Sequence, residues 1–167
     1  MNSKTILRIH IITNIKQLNK CIGLDVKLKR QSVIYFIGFV EKAGTDVARI
    51  KIFPEFCNGL KGVEEYSHLI VLYWLHLRDT EEDRRVLLVF PKRRAVNVLT
   101  GVFACRSPSR PNPIGLCVVE LVGKEDCTLV VKGLDAMEDS PIIDVKPYIP
   151  KTDSIPDARV PEWSHQA

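Results

Sequence analysis

The sequence predicts a mainly β fold, a barrel with short helical or loop insertions. Roughly six or seven short stretches of strand character follow one another at fairly regular spacing after residue 32, which is typical of all-β domains. No long amphipathic helix pattern and no internal repeat separate them. The chain has 167 residues, which is enough for one domain with a sizeable core.

The individual strands are predicted from apolar runs and from alternation of apolar and polar residues. Residues 33–40 are apolar, β-branched and aromatic, and residues 48–52 alternate apolar and charged as in a half-buried strand. Residues 69–75 are apolar on both faces, so both faces must be covered. Further strands are predicted at residues 86–90, 102–105, 116–122 and 128–132, with a turn at residues 123–126 between the last two.

Turn-rich and charged segments separate the predicted strands. Residues 54–65 contain an Asn-Gly pair and predict a broken helical turn or loop. The charge run at residues 78–85 is interpreted as a solvated loop or a short helix. A Lys-Arg-Arg cluster at residues 92–94 could contact RNA phosphates.

We expect three parts along the chain. Residues 1–31 form an N-terminal extension with a candidate short strand at residues 6–12. The barrel domain spans residues 32–150, and residues 151–167 form an extended C-terminal tail.

Composition indicates a soluble protein of the cytoplasm. No apolar run reaches the ~20 residues of a membrane span. The 5 cysteines are an odd number without C-x-x-C spacing, which argues against a disulfide framework and a zinc site and favours buried thiols in a reducing compartment. The net charge of +4 permits a polyanionic partner without requiring one.

The most proline-rich segment is the first candidate for a site. Residues 106–116 read Arg-Ser-Pro-Ser-Arg-Pro-Asn-Pro-Ile-Gly-Leu. Each proline fixes φ and pushes the residue before it towards extended geometry, so neither a helix nor a central strand can run through the segment. A stiff loop of this kind presents its polar side chains with little loss of entropy. The alternative is a polyproline connector on the surface.

Two further groups of side chains could carry chemistry. His76 ends the apolar strand and is expected at a pocket rim. Asp144, Lys146 and Tyr148 alternate with apolar residues and therefore share one face in extended chain. They could form a site for a charged ligand or simply an exposed edge strand. Cys105 with His76 could act as a hydrolase, although the sequence offers little that would lower the thiol pKa.

Together these motifs resemble the TsaA-like family, also called the TrmO family. The resemblance is carried by residues 101–116, by Asp-Val-Lys-Pro-Tyr at residues 144–148, and by residues 67–74 with His76. It covers about residues 37–150. It implies a single-sheeted β-barrel, usually dimeric, that binds S-adenosylmethionine. Bacterial members methylate the exocyclic nitrogen of threonylcarbamoyladenosine beside the tRNA anticodon.

The resemblance also implies roles for particular residues. The cofactor contacts are expected from His76, Leu77, Arg106, Leu116, Lys132, Gly133, Leu134 and Asp135. In the catalytic step, Asp144 could orient or deprotonate the acceptor amine, and Tyr148 could stack on the target base. Substrate RNA is expected to meet Arg110, Asn112 and Lys146.

The chain departs from the bacterial members in two respects. Residues 41–46 lack their Pro-Arg-Gln cofactor segment, and no room for their C-terminal RNA-binding domain remains after Pro150. We predict an S-adenosylmethionine-dependent tRNA (adenine-N6) methyltransferase, a cytoplasmic homodimer that needs no metal and no membrane. The alternative is a non-catalytic module that binds S-adenosylmethionine or RNA.

Overall fold

The computed structural model describes residues 32–44, 46–91 and 98–161. Within these ranges the fold is mainly β, as predicted. The strands are β1 Gly38–Lys42, β2 Ala48–Ile52, β3 His68–Trp74, β4 Leu88–Val89, β5 Thr100–Gly101, β6 Ile114–Glu125, β7 Thr128–Lys132 and β8 Pro141–Pro147. The helices are α1 Glu81–Arg85 and α2 Pro150–Asp153, with 3₁₀ segments at Pro54–Leu60, Val63–Glu65, His76–Arg78 and Val102–Ala104.

Six strands form one closed antiparallel barrel, which confirms the predicted single-sheeted architecture. Their order around the barrel is β1-β2-β7-β6-β3-β8, and β4 and β5 pair separately as a two-stranded sheet. Strand β3 lies between β6 and β8 and is in register with β6 along its whole length, from His68 opposite Glu120 to Trp74 opposite Ile114. The position of any residue along β3 therefore fixes which residues of its two neighbours lie beside it.

The two apolar faces of β3 have different surroundings. Leu69, Val71 and Tyr73 point into the barrel and are buried in its core. The outward-facing residues Ile70 and Leu72 are half-buried. They neighbour the outward side of β6, where Leu116 and Val118 remain 44% and 43% exposed. In the described residues the core covers the inner face, while cover of the outer face by a partner subunit stays a prediction.

The segment predicted as a strand at residues 102–105 is instead a 3₁₀ turn. The strand pairing ends at Gly101, opposite Leu88, and Val102 turns inward to become almost fully buried. The Arg110 guanidinium then donates hydrogen bonds to the carbonyls of Val102 and Cys105. Because these carbonyls already accept hydrogen bonds from Arg110, they are not available for pairing with another strand. The sequence pattern does not reveal this contact.

The other predicted strands shift only at their ends. The stretch at residues 33–40 becomes β1, which begins at Gly38 because pairing with β8 starts there. The turn predicted at residues 123–126 lies further along the chain in the structure. Strand β6 continues through Glu125, and the chain reverses at Asp126, which has φ 49°. The tail starts with α2, whereas an extended conformation was predicted.

A disulfide joins Cys57 to Cys127, so the expectation of free thiols in these two positions is wrong. The residues are 70 positions apart in sequence, but Cys127 continues the pairing of β7 with β2, and its carbonyl accepts a 2.8 Å hydrogen bond from the Ile52 amide. That pairing brings the Cα atoms of the two cysteines to 5.2 Å, within the range that a disulfide spans. Cys105 and Cys117 are free thiols.

Several predictions concern parts of the chain that are not described. The candidate strand at residues 6–12 and the basic cluster at residues 92–94 lie outside the described residues. Internal contacts divide the chain into Met1–Val33 and Ile34–Ala167, and every element named above belongs to the second unit. The finer borders at residues 31 and 150 stay predictions. None of the described helices is long and apolar enough to cross a membrane.

Candidate functional site

A cleft of about 530 Å³ opens at the end of β3. Three segments form its walls: the end of β3 with the 3₁₀ turn that follows it, the proline-rich loop, and the connection from β7 to β8. The residues that line it are Tyr73, Leu75, His76, Leu77, Arg78, Pro108, Asp135, Met137 and Ser140.

Strand register brings the proline-rich loop to this cleft. Because Trp74 pairs with Ile114, the residues before Ile114 must lie beside the residues that follow Trp74. The Leu75 amide donates a 2.7 Å hydrogen bond to the carbonyl of Pro113, whose side chain is fully buried. His76 follows Leu75 and lines the cleft; its role there stays a prediction.

Tyr73 is a residue of the site that the sequence analysis did not single out. It faces inward from β3 and is only 5% exposed, yet its hydroxyl reaches the cleft and donates a 2.7 Å hydrogen bond to Asp135. Its ring occupies the space beside Gly115, where an added Cβ atom would lie 2.3 Å from the ring. A polar tip on an inward residue of an apolar strand was the signal that could have identified it.

Asp135 also influences the free thiol of Cys117. Burial is the main cause that raises the pKa of this thiol. A backbone hydrogen bond from Asp135 lowers the pKa, the charge of the Asp135 carboxylate raises it, and the charge of Arg106 lowers it. The thiol donates a 3.0 Å hydrogen bond to the carbonyl of Gly133. Cys117 is therefore a protonated, hydrogen-bonded thiol at neutral pH. The hydrogen bond to Gly133 ties Cys117 to the β7–β8 connection that carries Asp135.

The structure gathers some of the expected cofactor residues and separates others. His76, Leu77 and Asp135 line the cleft together. The segment before Asp135 reaches it through Gly133, which has φ 80°, with Lys132 exposed and Leu134 packed against the core. Arg106 is exposed, and Leu116 lies on the outer barrel face opposite Leu72. Neither Arg106 nor Leu116 lines the cleft in this chain.

The predicted catalytic and RNA-binding residues of β8 lie on the outer wall of the barrel. Asp144 is in register with Leu72, and its carboxylate forms a 2.6 Å ion pair with Lys146. Tyr148 lies at the opposite end of β3 from the cleft, with its ring edge-on to His68 at a centroid distance of 6.5 Å. A single chain therefore does not bring Asp144 and Tyr148 into the cleft.

The two predicted RNA contacts in the proline-rich loop have different settings. The Arg110 side chain is bound to the backbone of the preceding 3₁₀ turn, as described above, and is half-buried. Asn112 is exposed, and its carbonyl accepts a 2.8 Å hydrogen bond from the Ile114 amide. Arg110 therefore has a structural role, while the Asn112 side chain faces solvent.

The charge run at residues 78–85 is only partly solvated. It does form the expected short helix, α1, and its Arg85–Glu81 ion pair is 80% and 86% exposed. However, Asp83 accepts a hydrogen bond from the Ser109 hydroxyl of the proline-rich loop. A hydrogen bond from Arg84 and one from Trp74 lower the pKa of Asp79. The interpretation of this run as solvated is thus wrong for the residues that face the loop.

The described ranges contain no candidate set of metal ligands. No three His, Cys, Asp or Glu side chains there are grouped so as to hold an ion. The cleft offers instead one carboxylate, one imidazole and one guanidinium, from Asp135, His76 and Arg78, among apolar side chains. Such a lining suits an organic ligand that carries charges of both signs.

Comparison with known proteins places this arrangement in a family. Residues 40–154 match the model of the tRNA-methyltransferase O N-terminal domain. A probable S-adenosyl-L-methionine-binding protein of Archaeoglobus fulgidus is 47% identical over 122 residues, which are 73% of this chain and 31% of that protein. The tRNA (adenine(37)-N6)-methyltransferase of Escherichia coli is 37% identical over 125 residues, or 72% of this chain and 52% of that protein.

A solved structure agrees with these matches. The crystal structure of TrmO superposes with a TM-score of 0.62 at 29% sequence identity, covering 77% of this chain and 62% of that one. The chain thus spans less than two thirds of each of these three proteins. From the match over residues 40–154, the closed barrel and the structural likeness, the chain belongs to the family of the tRNA-methyltransferase O N-terminal domain.

Proposed function

We propose that the protein is an S-adenosylmethionine-dependent methyltransferase that acts on tRNA. The observation that carries the proposal is the cleft at the end of β3, where Asp135, held by Tyr73, lies with His76 beside the family's proline-rich loop. The proposed acceptor is the exocyclic N6 of adenosine, or of threonylcarbamoyladenosine, next to the anticodon. The N6 position of adenosine rests on the name of the Escherichia coli relative, and the threonylcarbamoyl group rests on the family resemblance.

The size and lining of the cleft support its use as the cofactor site. Its volume of about 530 Å³ lies within the range of pockets that bind small organic ligands, roughly 300–1,000 Å³. Asp135 is the acid of the lining and suits the cationic groups of the ligand, while Arg78 suits its carboxylate. Leu75, Leu77 and Met137 provide apolar surface for the uncharged parts.

The chain contributes binding and alignment to the reaction. S-adenosylmethionine supplies an electrophilic methyl group on a sulfonium. Methyl transfer requires an in-line approach of the acceptor in a site with little water, so that alignment provides much of the acceleration. The prolines of residues 106–116 fix the backbone of one cleft wall before any ligand binds, which reduces the entropy lost on binding.

Asp144 and Tyr148 are proposed to act on the acceptor side. Both lie outside the cleft of their own chain, so this role requires bound tRNA or a second copy of the chain to bring them to the acceptor. A homodimer would also cover the outer face of Ile70, Leu72 and Val118, because association removes apolar area from water. We further propose that the protein works in the cytoplasm, where tRNA is modified.

Two measurements test this function. Calorimetry with S-adenosylmethionine is expected to give saturable binding to the wild type and markedly weaker binding to Asp135→Asn. Nucleoside mass spectrometry of tRNA treated with protein and cofactor is expected to detect a methylated adenosine derivative. The absence of cofactor binding would refute the proposal, and light scattering that gives only monomer at micromolar concentration would refute the homodimer.

A second candidate function is a module that binds S-adenosylmethionine without catalysis. It is favoured by the position of Asp144 and Tyr148 outside the cleft, and by the Archaeoglobus fulgidus relative, which is named for binding alone. Cofactor binding without any change in the mass of tRNA nucleosides would establish this alternative over the methyltransferase.

A further inference from the structure

Helix α1 holds the proline-rich loop from outside the cleft. The Ser109 hydroxyl donates a hydrogen bond to the Asp83 carboxylate. One residue further along the helix, Arg84 Nη1 donates a 3.0 Å hydrogen bond to the carbonyl of Pro111. Two adjacent helix residues thus contact the loop on both sides of Arg110. Pro108, which lines the cleft, precedes Ser109 directly.

Arg84 is itself anchored on the end of strand β3. Its guanidinium lies over the Trp74 ring at 5.3 Å and forms an ion pair with Asp79. The Trp74 indole donates a 3.0 Å hydrogen bond to the other oxygen of Asp79. Trp74 is the last residue of β3 and is nearly buried, so the barrel fixes the position of the Trp74–Asp79 pair. Arg84 links this pair to the loop through its planar, forked set of donors.

Asp83 is held in place by three contacts that are independent of the loop. The Thr80 hydroxyl caps the helix by accepting a 3.0 Å hydrogen bond from the Asp83 amide, and it donates to one Asp83 oxygen at 3.1 Å. Arg78, a residue of the cleft, lies 3.6 Å from the oxygen that also accepts from Ser109. Asp83 is therefore oriented by contacts additional to its hydrogen bond with the Ser109 hydroxyl.

These contacts are the reason why so short a helix persists. A helix of 5 residues has little stability of its own, because nucleation costs more than one turn of hydrogen bonds returns. The position of the helix must therefore come from its contacts with Thr80, with the Trp74–Asp79 pair and with the loop. The loop, in turn, has three positions fixed by proline, so it moves as a stiff body when one of its attachment points is displaced.

We infer that Asp83 and Arg84 are positioning residues of the ligand cleft. They fix the proline-rich loop in the place where Pro108 forms its part of the wall, and they do so without lining the cleft themselves. The inference rests on the proposed binding of S-adenosylmethionine, for which it names two residues that control affinity from outside. It predicts that loosening the attachment lowers cofactor affinity while the barrel stays folded.

The test compares matched substitutions in the complete chain. Arg84→Lys and Arg85→Lys make the same chemical change at adjacent positions of α1, but only Arg84 contacts the loop. Cofactor affinity is expected to fall roughly three- to tenfold for Arg84→Lys, as for the loss of a coupled polar contact, and to stay unchanged for Arg85→Lys. Ser109→Ala is expected to weaken binding to a similar extent as Arg84→Lys. In an Asp83→Ala background, Ser109→Ala should have no further effect, because the Ser109–Asp83 contact is already absent.

Thermal unfolding separates positioning from general destabilisation. The inference requires that the cofactor Kd changes in Ser109→Ala although Tm remains within a few degrees of the wild type. Ser109→Ala also serves if the α1 variants do not fold, since it removes only the hydroxyl on the loop side. Wild-type affinity in Arg84→Lys and Ser109→Ala would overturn this inference alone, whereas failure of the wild type to bind the cofactor would overturn the proposed function with it.

Discussion

The Tyr73 hydroxyl and the Asp135 carboxylate are joined by a 2.7 Å hydrogen bond that connects strand β3 to the β7–β8 connection. The bond exists because Gly115, directly opposite Tyr73 in the β3–β6 ladder, leaves room for the ring. A residue of the family's proline-rich motif thus acts through a tyrosine on the neighbouring strand. The same geometry gives two predictions, one for binding and one for stability.

Tyr73→Phe is expected to weaken binding of S-adenosylmethionine by about tenfold, because it removes one hydrogen bond to a charged group that orients Asp135. The ring and its packing remain, so Tm should change little. Calorimetry of the purified variant checks this. Tyr66→Phe is the control, since Tyr66 is an exposed tyrosine away from the cleft. Equal affinity of Tyr73→Phe and wild type would show that Tyr73 serves only the core.

Gly115→Ala is expected to destabilise the protein by about 1–3 kcal/mol, the usual effect of overpacking a core. The added Cβ atom would lie 2.3 Å from the Tyr73 ring, so the ring must move away from its place beside Asp135. Gly123→Ala is the matched control on the same strand, because nothing lies within 4 Å of a Cβ atom added there. Chemical denaturation measures both. A Gly115→Ala protein as stable as Gly123→Ala would contradict the close packing described here.

The stabilising effect of Asp79 is expected to depend on pH. Hydrogen bonds from Arg84 and then Trp74 lower the pKa of its carboxyl below the ordinary value of 3.8. A carboxyl with a lowered folded-state pKa stabilises the fold above its unfolded value and loses that effect as pH falls through the lowered value. Asp79→Asn should therefore reduce Tm by a few degrees at pH 7, and the difference should shrink below about pH 3.8.

Thermal scans across this pH range decide the matter. Glu81→Gln is a suitable control, because Glu81 forms a highly exposed ion pair with Arg85, and such pairs contribute little. A difference between wild type and Asp79→Asn that is constant from pH 7 to pH 3 would exclude the proposed electrostatic origin.

Asp144→Asn is expected to leave cofactor affinity nearly intact while slowing methyl transfer, since it alters an interaction made mainly in the transition state. Tyr148→Ala should weaken tRNA binding more than cofactor binding, because aromatic rings stack on unpaired bases. Single-turnover methylation of tRNA and a tRNA-binding assay measure the two effects. An unchanged rate in both variants would show that neither residue takes part in the mechanism.

The barrel could be predicted from sequence because its strands are short, apolar and separated by clear turns. Strand β2 matches its prediction residue for residue, since alternation over residues 48–52 reports burial directly. What failed depends on side-chain contacts that a strand pattern does not report, some of them between residues far apart in sequence. Arg110 converts a strand-like segment into a 3₁₀ turn by binding its carbonyls, and α1 gains its role only from Ser109 and Pro111. No local pattern contains this information.

The residues of the site were predictable where they belong to short, specific motifs. His76 and Asp135 were identified through motifs, and they do meet in the cleft. Tyr73 was missed because it lies within an apolar run where a tyrosine predicts burial. Asp144 and Tyr148 share the motif but lie on the outer wall, because strand register, and not sequence proximity, decides which surface a residue joins.

The Cys57–Cys127 crosslink gives the protein a dependence on redox conditions. It closes a loop of 70 residues that includes β3, the cleft turn, α1 and the proline-rich loop. In the chain-entropy model, such a loop restricts the unfolded ensemble by about 4 kcal/mol. The reduced protein should therefore unfold at a lower temperature than the oxidised one. Every cleft residue before Asp135 lies within the loop that the disulfide closes. Thermal scans with and without dithiothreitol would measure how much stability is lost when the disulfide is reduced. Cys57→Ser serves as the reference that cannot form the disulfide.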